Sequence, residues 1–246
     1  MARRHLLVPF AALVAACTPR ALTPNARGFA FDAPTTPEVG HSDAQFDITR
    51  IGTPFGPEAV NGGARYRRTL RPGLVAEGEG GLLHLTNEGS GGSRNAVTGR
   101  VGLMLRPPSE QELRTALTLG VGGGLSSTAG DWVSVDVGAA VGGSHPWLRP
   151  FVGGDVSYNA AVGSKPFTVD DSGGAPVTLQ LPDTIGLRTT AGLELGPPDR
   201  ALVIGFSLAR MIAREPDVLS PPTTTGDVLN DDVAVAIGLG FRVAVE

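Results

Sequence analysis

Acidic and basic residues recur on one parity of a series of alternating segments, and these residues have the clearest capacity for chemistry. That parity carries Glu77, Glu79, Arg100, Arg114, Asp136, Arg149, Asp155, Arg188, Glu194 and Arg242. No opposed carboxylate can be assigned to Glu77 or Glu79, so general acid–base catalysis is not indicated. A mixture of acids and arginines favours mutual ion pairing, because a buried unpaired charge is costly.

We therefore expect an ion-pair network in the interior of the fold. Its predicted members are Glu77, Glu79, Arg100, Asp136, Asp155, Arg188, Glu194 and Arg242. Glu77 and Glu79 are expected to pair with Arg100 and Arg242. Asp136 and Asp155 are expected to pair with Arg188. Such a network would plug an interior that is otherwise lined largely by glycine and alanine.

Three patterns resemble catalytic motifs without the context that catalysis requires. Gly205-Phe206-Ser207-Leu208-Ala209 approximates a nucleophile elbow, but Ser207 lies within an alternating run and not at a sharp strand-to-helix turn. His41-Ser42-Asp43 contains triad residue types side by side, without a scaffold to arrange them. His84 and His145 have no serine partner that the sequence can place. We therefore expect no enzymatic activity, no metal and no cofactor.

The single cysteine, Cys17, ends a segment with the features of an export signal. An arginine pair precedes the apolar run from Leu6 to Ala16, which is shorter than the roughly 17–25 residues of a membrane-spanning helix. Val14-Ala15-Ala16-Cys17 closely resembles the lipobox of bacterial lipoproteins, whose cysteine is lipidated and becomes the new N-terminus. In that family a neutral residue such as Thr18 at the next position generally permits export to the outer membrane. The alternative is an ordinary secretory signal.

The resemblance implies a lipid anchor on the periplasmic side of the outer membrane. An acylated terminus that carries more than one chain, palmitate among them, anchors stably. Residues 1–16 are then the signal peptide. Residues 17–63 lack a sustained period and are rich in Pro, Thr, Ala and Gly, which predicts a flexible, disordered periplasmic tether. Residues 64–246 are the predicted β-barrel domain.

Residues 64–71, ARYRRTLR, are basic and open this domain. They predict a collar close to the membrane or the start of the first strand. A solvated charged segment is the alternative.

Eight runs with a period of two follow Gly73. They cover 74–86, 94–106, 113–125, two runs within 131–162, 184–195, 201–212 and 233–245. A period of two indicates strands. The runs exceed the roughly 5–6 residues of an ordinary strand and suit a tilted membrane strand, which needs about 9–11. The sequence therefore predicts an all-β fold, an eight-stranded antiparallel up-and-down transmembrane barrel.

The connections between these runs alternate in length. Short turns are predicted at 107–110, 144–147 and 196–199, and longer connections at 87–93, 126–131, 163–183 and 214–232. Membrane barrels have short periplasmic turns and longer outward loops. Both chain ends are therefore expected on the periplasmic side, where a lipidated Cys17 would also lie.

Two stretches resemble the small outer-membrane β-barrel superfamily that includes the OmpA-like and OmpX-like proteins. One is Trp147-Leu148-Arg149-Pro150-Phe151-Val152-Gly153-Gly154, a turn followed by a strand, and the other is the run from Val233 to Phe241. The resemblance implies a barrel whose apolar parity faces lipid and whose polar parity fills the lumen.

The predicted function is that of a lipid-anchored outer-membrane barrel with a structural role, or with partners bound through loops 163–183 and 214–232. Its partners would be outer-membrane lipid and a cell-surface or extracellular molecule, and the protein would be a monomer. The net charge of −4 argues against nucleic-acid binding. One alternative is a periplasmic lipoprotein whose soluble barrel binds a small apolar ligand and has the apolar parity inside. Another is an outer-membrane lipid-modifying enzyme.

Overall fold

The computed structural model describes residues 27, 33–35, 37–52, 58–86, 93–107, 113–170, 176–213 and 231–245. The signal peptide, Cys17 and most of the predicted loop 214–232 lie outside the described residues, as does part of the predicted loop 163–183. Within the described ranges, no helix has the length and apolar character needed to cross a membrane.

Twelve strands make up the described fold. They are β1 (Ser42–Gly52), β2 (Glu58–Arg71), β3 (Leu74–Thr86), β4 (Ser93–Leu105), β5 (Leu113–Ser126), β6 (Gly130–Gly143), β7 (Leu148–Ala161), β8 (Phe167–Asp170), β9 (Pro176–Leu179), β10 (Thr184–Leu195), β11 (Arg200–Ala213) and β12 (Asp231–Val245). Ten of them form one closed antiparallel barrel in the order β1-β12-β11-β10-β7-β6-β5-β4-β3-β2. The sheet closes because β1 pairs with both β12 and β2. The remaining two, β8 and β9, form a separate hairpin.

The all-β antiparallel barrel is confirmed, but the strand number of eight is wrong. The two additional strands are β1 and β2, which cover most of the predicted tether from residue 42 onward and the whole basic segment. β1 carries only Phe46 and Ile48 as large apolar residues on its outward parity. In β2, glycines and adjacent arginines hide the period of two. Both strands are held in place by hydrogen bonds to their neighbours in the sheet, although neither has a strong local sequence pattern that predicts a strand.

The barrel has its apolar side chains outside and its polar side chains inside. Leu82, Val101 and Ile237 are 65%, 63% and 63% exposed, whereas Arg100 and Glu194 on the opposite parity are 3% and 1% exposed. Successive side chains of a strand point to opposite faces, so the pairing register of neighbouring strands determines which side chains face outward and which face the lumen. The soluble alternative requires the reverse arrangement, which the described residues do not have.

We call the end of the barrel where β1 begins and β12 ends the inner end, and the opposite end the outer end. At the inner end, Pro72 and Gly73 alone join β2 to β3, and residues 144–147 and 196–199 form two further tight turns. The short turn predicted at 107–110 lies mostly outside the described residues. Gly73 has a φ of 78°, which glycine adopts without strain. At the outer end, the segment from β7 to β10 contains the β8–β9 hairpin. These three short turns lie at the end that holds both termini of the barrel. The longer connection predicted at 126–131 is wrong, because residues 127–129 alone join β5 to β6 at the outer end.

Apolar clusters close parts of both ends. At the outer end, Trp132 packs with Phe167 of β8 and with Leu181, within a cluster that also contains Ala59, Leu83, Ala96 and Ala129. At the inner end, Val75 and Met104 pack with Ala116. The polar interior therefore lies between two apolar layers.

Candidate functional site

The lumen contains most of the buried charge of the described chain. Six arginines and six acids are buried: Arg27, Arg65, Arg67, Arg100, Arg149 and Arg242, with Asp43, Asp47, Glu77, Glu79, Asp136 and Glu194. Eleven of these belong to the strands, and Arg27 comes from the segment that precedes them. Charges at this depth must compensate one another, because removing an isolated charge from water costs several kcal/mol or more.

The N-terminal segment enters the lumen at the inner end. Gly40 donates a backbone hydrogen bond to the carbonyl of Thr69 at 3.0 Å, and the Thr69 hydroxyl donates to the carbonyl of Pro37 at 2.8 Å. Further in, the Thr35 hydroxyl donates to the Glu194 carboxylate. The predicted tether is therefore wrong for this part of the chain also, because residues 27 and 33–35 are buried inside the barrel.

Arg27 reaches the middle of the lumen and lies among three carboxylates. Its guanidinium nitrogens are 3.6 Å from Glu77, 3.7 Å from Glu79 and 3.7 Å from Asp136, measured to the nearest carboxylate oxygen. Its Nη1 also donates a hydrogen bond of 3.4 Å to the Thr118 hydroxyl. We call Glu77, Glu79 and Asp136 the acidic ring.

Arg100 binds the same ring more tightly. Its Nε and Nη2 donate to the two carboxylate oxygens of Asp136, each at 2.7 Å, a bidentate arrangement that adds strength and orientation. Its Nη1 donates to Glu77, and to Glu79 at 3.2 Å. The acidic ring is therefore held in place by a wall arginine as well as by Arg27.

Glycine in β5 makes room for this arginine. A Cβ atom built on Gly120 would lie 2.2 Å from Nε and Nη2 of Arg100. Gly120 pairs with Asp136 across the sheet, and Arg100 pairs with Gly122. The Arg100 side chain can thus cross β5 to reach β6 only because β5 has no side chain at this position.

A second cluster lies near the inner end. Arg67 donates to both carboxylate oxygens of Asp43, at 2.9 and 2.7 Å. Arg149 donates to Glu194 at 2.9 Å, and Arg242 lies 3.3 Å from the other oxygen of the same carboxylate. We call this set, which also receives Thr35 from the N-terminal segment, the inner cluster.

The structure brings some of the predicted partners together and separates others. Glu77 and Glu79 lie beside Arg100, and Asp155 pairs with Arg188 at 2.8 Å. Two predicted pairings are not found. Asp136 pairs with Arg100 and not with Arg188, and Arg242 belongs to the inner cluster with Glu194, because β1 and β2 lie between β12 and β3.

Six buried charged residues were not among the predicted network. They are Arg27, Asp43, Asp47, Arg65, Arg67 and Arg149, of which Arg149 had been assigned only to the polar parity. Four of them lie on β1 and β2, and their parity would have identified them once those strands were recognised. No local pattern marks Arg27, because its position depends on contacts with distant strands.

A cavity of about 130 Å³ lies on the outer side of Arg27. Its lining includes the buried hydroxyls of Thr49 and Thr98, for which the structure gives no hydrogen-bond partner, and the apolar side chains of Ile51 and Met211. In the neighbouring ring, one carboxylate oxygen of Glu77 and one of Glu79 are buried without a partner. Arg27 lines the cavity and contacts the acidic ring, so it separates these spare hydrogen-bond acceptors from the open space.

The residues of the catalytic look-alike motifs have structural contacts. Ser207 is buried in the wall and donates to the carbonyl of Thr189 at 3.2 Å. His84 Nδ1 lies 2.7 Å from the Asn95 side-chain oxygen, and His145 Nδ1 accepts the backbone N–H of Trp147 at 3.2 Å. Among the described residues, no group of three His, Cys, Asp or Glu side chains is arranged to hold a metal ion.

Neither a protein-family model nor a curated protein matches the chain. Several solved barrels are similar in fold. LpxR from Salmonella typhimurium is 11% identical over 84% of this chain and 86% of its own, with a TM-score of 0.49. An outer membrane channel from Pseudomonas putida F1 is 13% identical over 87% and 100%, with a TM-score of 0.48. The outer membrane protease OmpT from Escherichia coli is 8% identical over 88% and 100%, with a TM-score of 0.42. At these values the comparisons add no argument about function.

Proposed function

We propose that this protein is an outer-membrane β-barrel whose lumen is closed by its own N-terminal segment, with a structural role or an interaction role at its outer loops. The observation that carries the proposal is the outward position of the apolar parity around the barrel. A continuous belt of exposed apolar side chains is not typical of soluble monomers, whose largest apolar patches cover a few hundred Å². In a bilayer the same belt is matched by lipid.

The closed interior supports a role other than transport. The N-terminal segment, the acidic ring and the inner cluster fill the lumen between the two apolar layers. We therefore assign the functional contacts of the protein to the surfaces at the outer end of the barrel. There the β8–β9 hairpin lies within the predicted loop 163–183, and this loop and 214–232 are the proposed contact regions for a cell-surface or extracellular partner.

A lipid anchor at Cys17 is the finer part of the proposal, and it rests on the Val14-Ala15-Ala16-Cys17 sequence. An extended chain spans about 3.3–3.6 Å per residue. The segment between Cys17 and Arg27 is therefore long enough to reach from the middle of the lumen to the membrane surface. A Cys17→Ser variant should lose labelling by radioactive palmitate, whereas the wild-type chain should be labelled.

The experiment that tests insertion is the gel mobility of protein extracted from the outer-membrane fraction, boiled against unboiled. A closed membrane barrel that remains folded in detergent migrates differently until it is heated. We expect such a shift for both the wild type and Cys17→Ser. A protein that leaves the membrane when Cys17 is replaced, and that shows no shift, would overturn the proposal and restore the soluble lipoprotein.

A further inference from the structure

The strands contribute one more buried acid than buried arginines. Without Arg27, the strands present five buried arginines to six buried acids. The sixth buried arginine, Arg27, comes from a segment that is not part of the sheet. The acidic ring therefore receives a second cation, besides Arg100, from outside the wall.

Arg27 lies farther from the acidic ring than Arg100 does. Its ion-pair distances to the acidic ring are 3.6 to 3.7 Å, whereas Arg100 reaches Asp136 at 2.7 Å. Direct charge-assisted hydrogen bonds are about 2.7–2.9 Å long. The unpartnered oxygens of Glu77 and Glu79 show that the ring can accept further donors.

The cavity beside Arg27 gives a ligand access to the position of the Arg27 guanidinium, and its lining also includes the paired Asp155 and Arg188. Thr49 and Thr98 are 1% and 6% exposed, and their unpartnered hydroxyls line this cavity. When Arg27 is displaced, Arg100 still contacts all three carboxylates of the acidic ring and Arg65 is the cross-strand neighbour of Glu79. Three carboxylates grouped in this way favour a cation over an anion. Ile51 and Met211 add apolar surface for the body of a small ligand.

We propose that the acidic ring is a binding site for a small guanidinium cation, and that Arg27 is the internal ligand that occupies it. A guanidinium compound that enters the cavity takes the place of Arg27 by donating to Glu77, Glu79 and Asp136. This proposal rests on the position of the N-terminal segment in the lumen. It does not depend on which partner binds the outer loops.

The test uses the full mature chain refolded in detergent and methylguanidinium as the probe. Calorimetric titration of Arg27→Ala should give saturable binding, because the variant leaves the ring without its cation. Binding to the wild type should be weaker by at least about ten-fold, because an internal ligand reduces the fraction of empty sites. Adding Glu79→Gln to Arg27→Ala should abolish the binding.

The matched control is Arg149→Ala, which also removes one luminal arginine but from the inner cluster. If Arg149→Ala binds methylguanidinium as tightly as Arg27→Ala does, the proposal is overturned. Such a result would mean that the cation replaces any lost luminal arginine and does not bind specifically at the acidic ring. A folded Arg27→Ala protein that binds no methylguanidinium would also overturn it.

Arg27→Gln, which keeps a hydrogen-bonding side chain, provides a second variant if Arg27→Ala does not fold. Should both variants fold only when methylguanidinium is in the refolding buffer, the proposal is supported. Should neither fold in its presence, the proposal is wrong. The boiled and unboiled gel mobilities report folding separately, so failure of this site is distinguishable from failure of the barrel.

Discussion

The Nη1 atom of Arg27 lies 3.7 Å from Oδ1 of Asp136, which joins the N-terminal segment to the sixth strand in the middle of the lumen. This contact connects two properties of the protein. The lumen is closed by the chain itself, and the segment brings the sixth buried arginine to a wall that has six buried acids.

Replacement of Arg100 by alanine should destabilise the barrel strongly. The change leaves Asp136 without its bidentate partner in a buried site, and breaking a buried pair costs about 3–5 kcal/mol. Urea unfolding followed by gel mobility should show a lower midpoint. The control is Arg200→Ala, whose side chain is 71% exposed beside Asp199 and whose loss should change the midpoint little. Equal midpoints for the two variants would contradict the buried network.

Gly120→Ala should disturb the same network without removing a charge. The new Cβ would lie 2.2 Å from Arg100 nitrogens, so the guanidinium must move away from Asp136. Gly78→Ala is a matched control, because a Cβ there meets no atom within 4 Å. We expect a clear fall in the urea midpoint for Gly120→Ala and almost none for Gly78→Ala. An unchanged urea midpoint for Gly120→Ala would show that the Arg100 side chain does not cross β5 beside Gly120.

Parity alone identified the luminal face of the eight predicted strands, including Glu77, Arg100 and Asp136. It did not identify partners across the barrel, because these depend on which strands are neighbours. Arg242 was expected beside Glu77, as closure of β12 onto β3 would require. The insertion of β1 and β2 moves Arg242 to Glu194 instead.

The two additional strands were harder to find for a physical reason. β1 has few large apolar residues on its outward face, and its luminal Asp43 and Asp47 are typical of a solvated linker until a sheet forms around them. The position of Arg27 is even harder to predict, since no neighbour in the sequence determines it. The closure of the lumen could therefore be recognised only from the three-dimensional structure.

Removal of the N-terminal segment should open a passage with a preference for cations. A variant that lacks residues 18–35 loses Arg27 and Thr35, and the remaining wall has more buried acids than buried arginines. Planar-bilayer recordings should show higher conductance than the wild type and a reversal potential shifted toward that of the cation. Unchanged conductance would mean that the segment does not close the lumen.

The outer end should be accessible from outside the cell. Lys165 is exposed in the segment that follows β7, and Pro198 is exposed in an inner turn. In a Cys17→Ser background, Lys165→Cys should react with a membrane-impermeant maleimide on intact cells. Pro198→Cys should react only after the outer membrane is permeabilised. The opposite pattern would reverse the proposed orientation.

The most direct test of the central claim is to measure which parity of a strand faces lipid. Val101→Cys and Thr98→Cys, each in a Cys17→Ser background, place a fluorophore on the outward and inward faces of β4. After reconstitution into vesicles that contain brominated lipid, we expect strong quenching at position 101 and little at position 98. Absence of quenching at position 101 would contradict a membrane-inserted barrel with a polar, closed lumen.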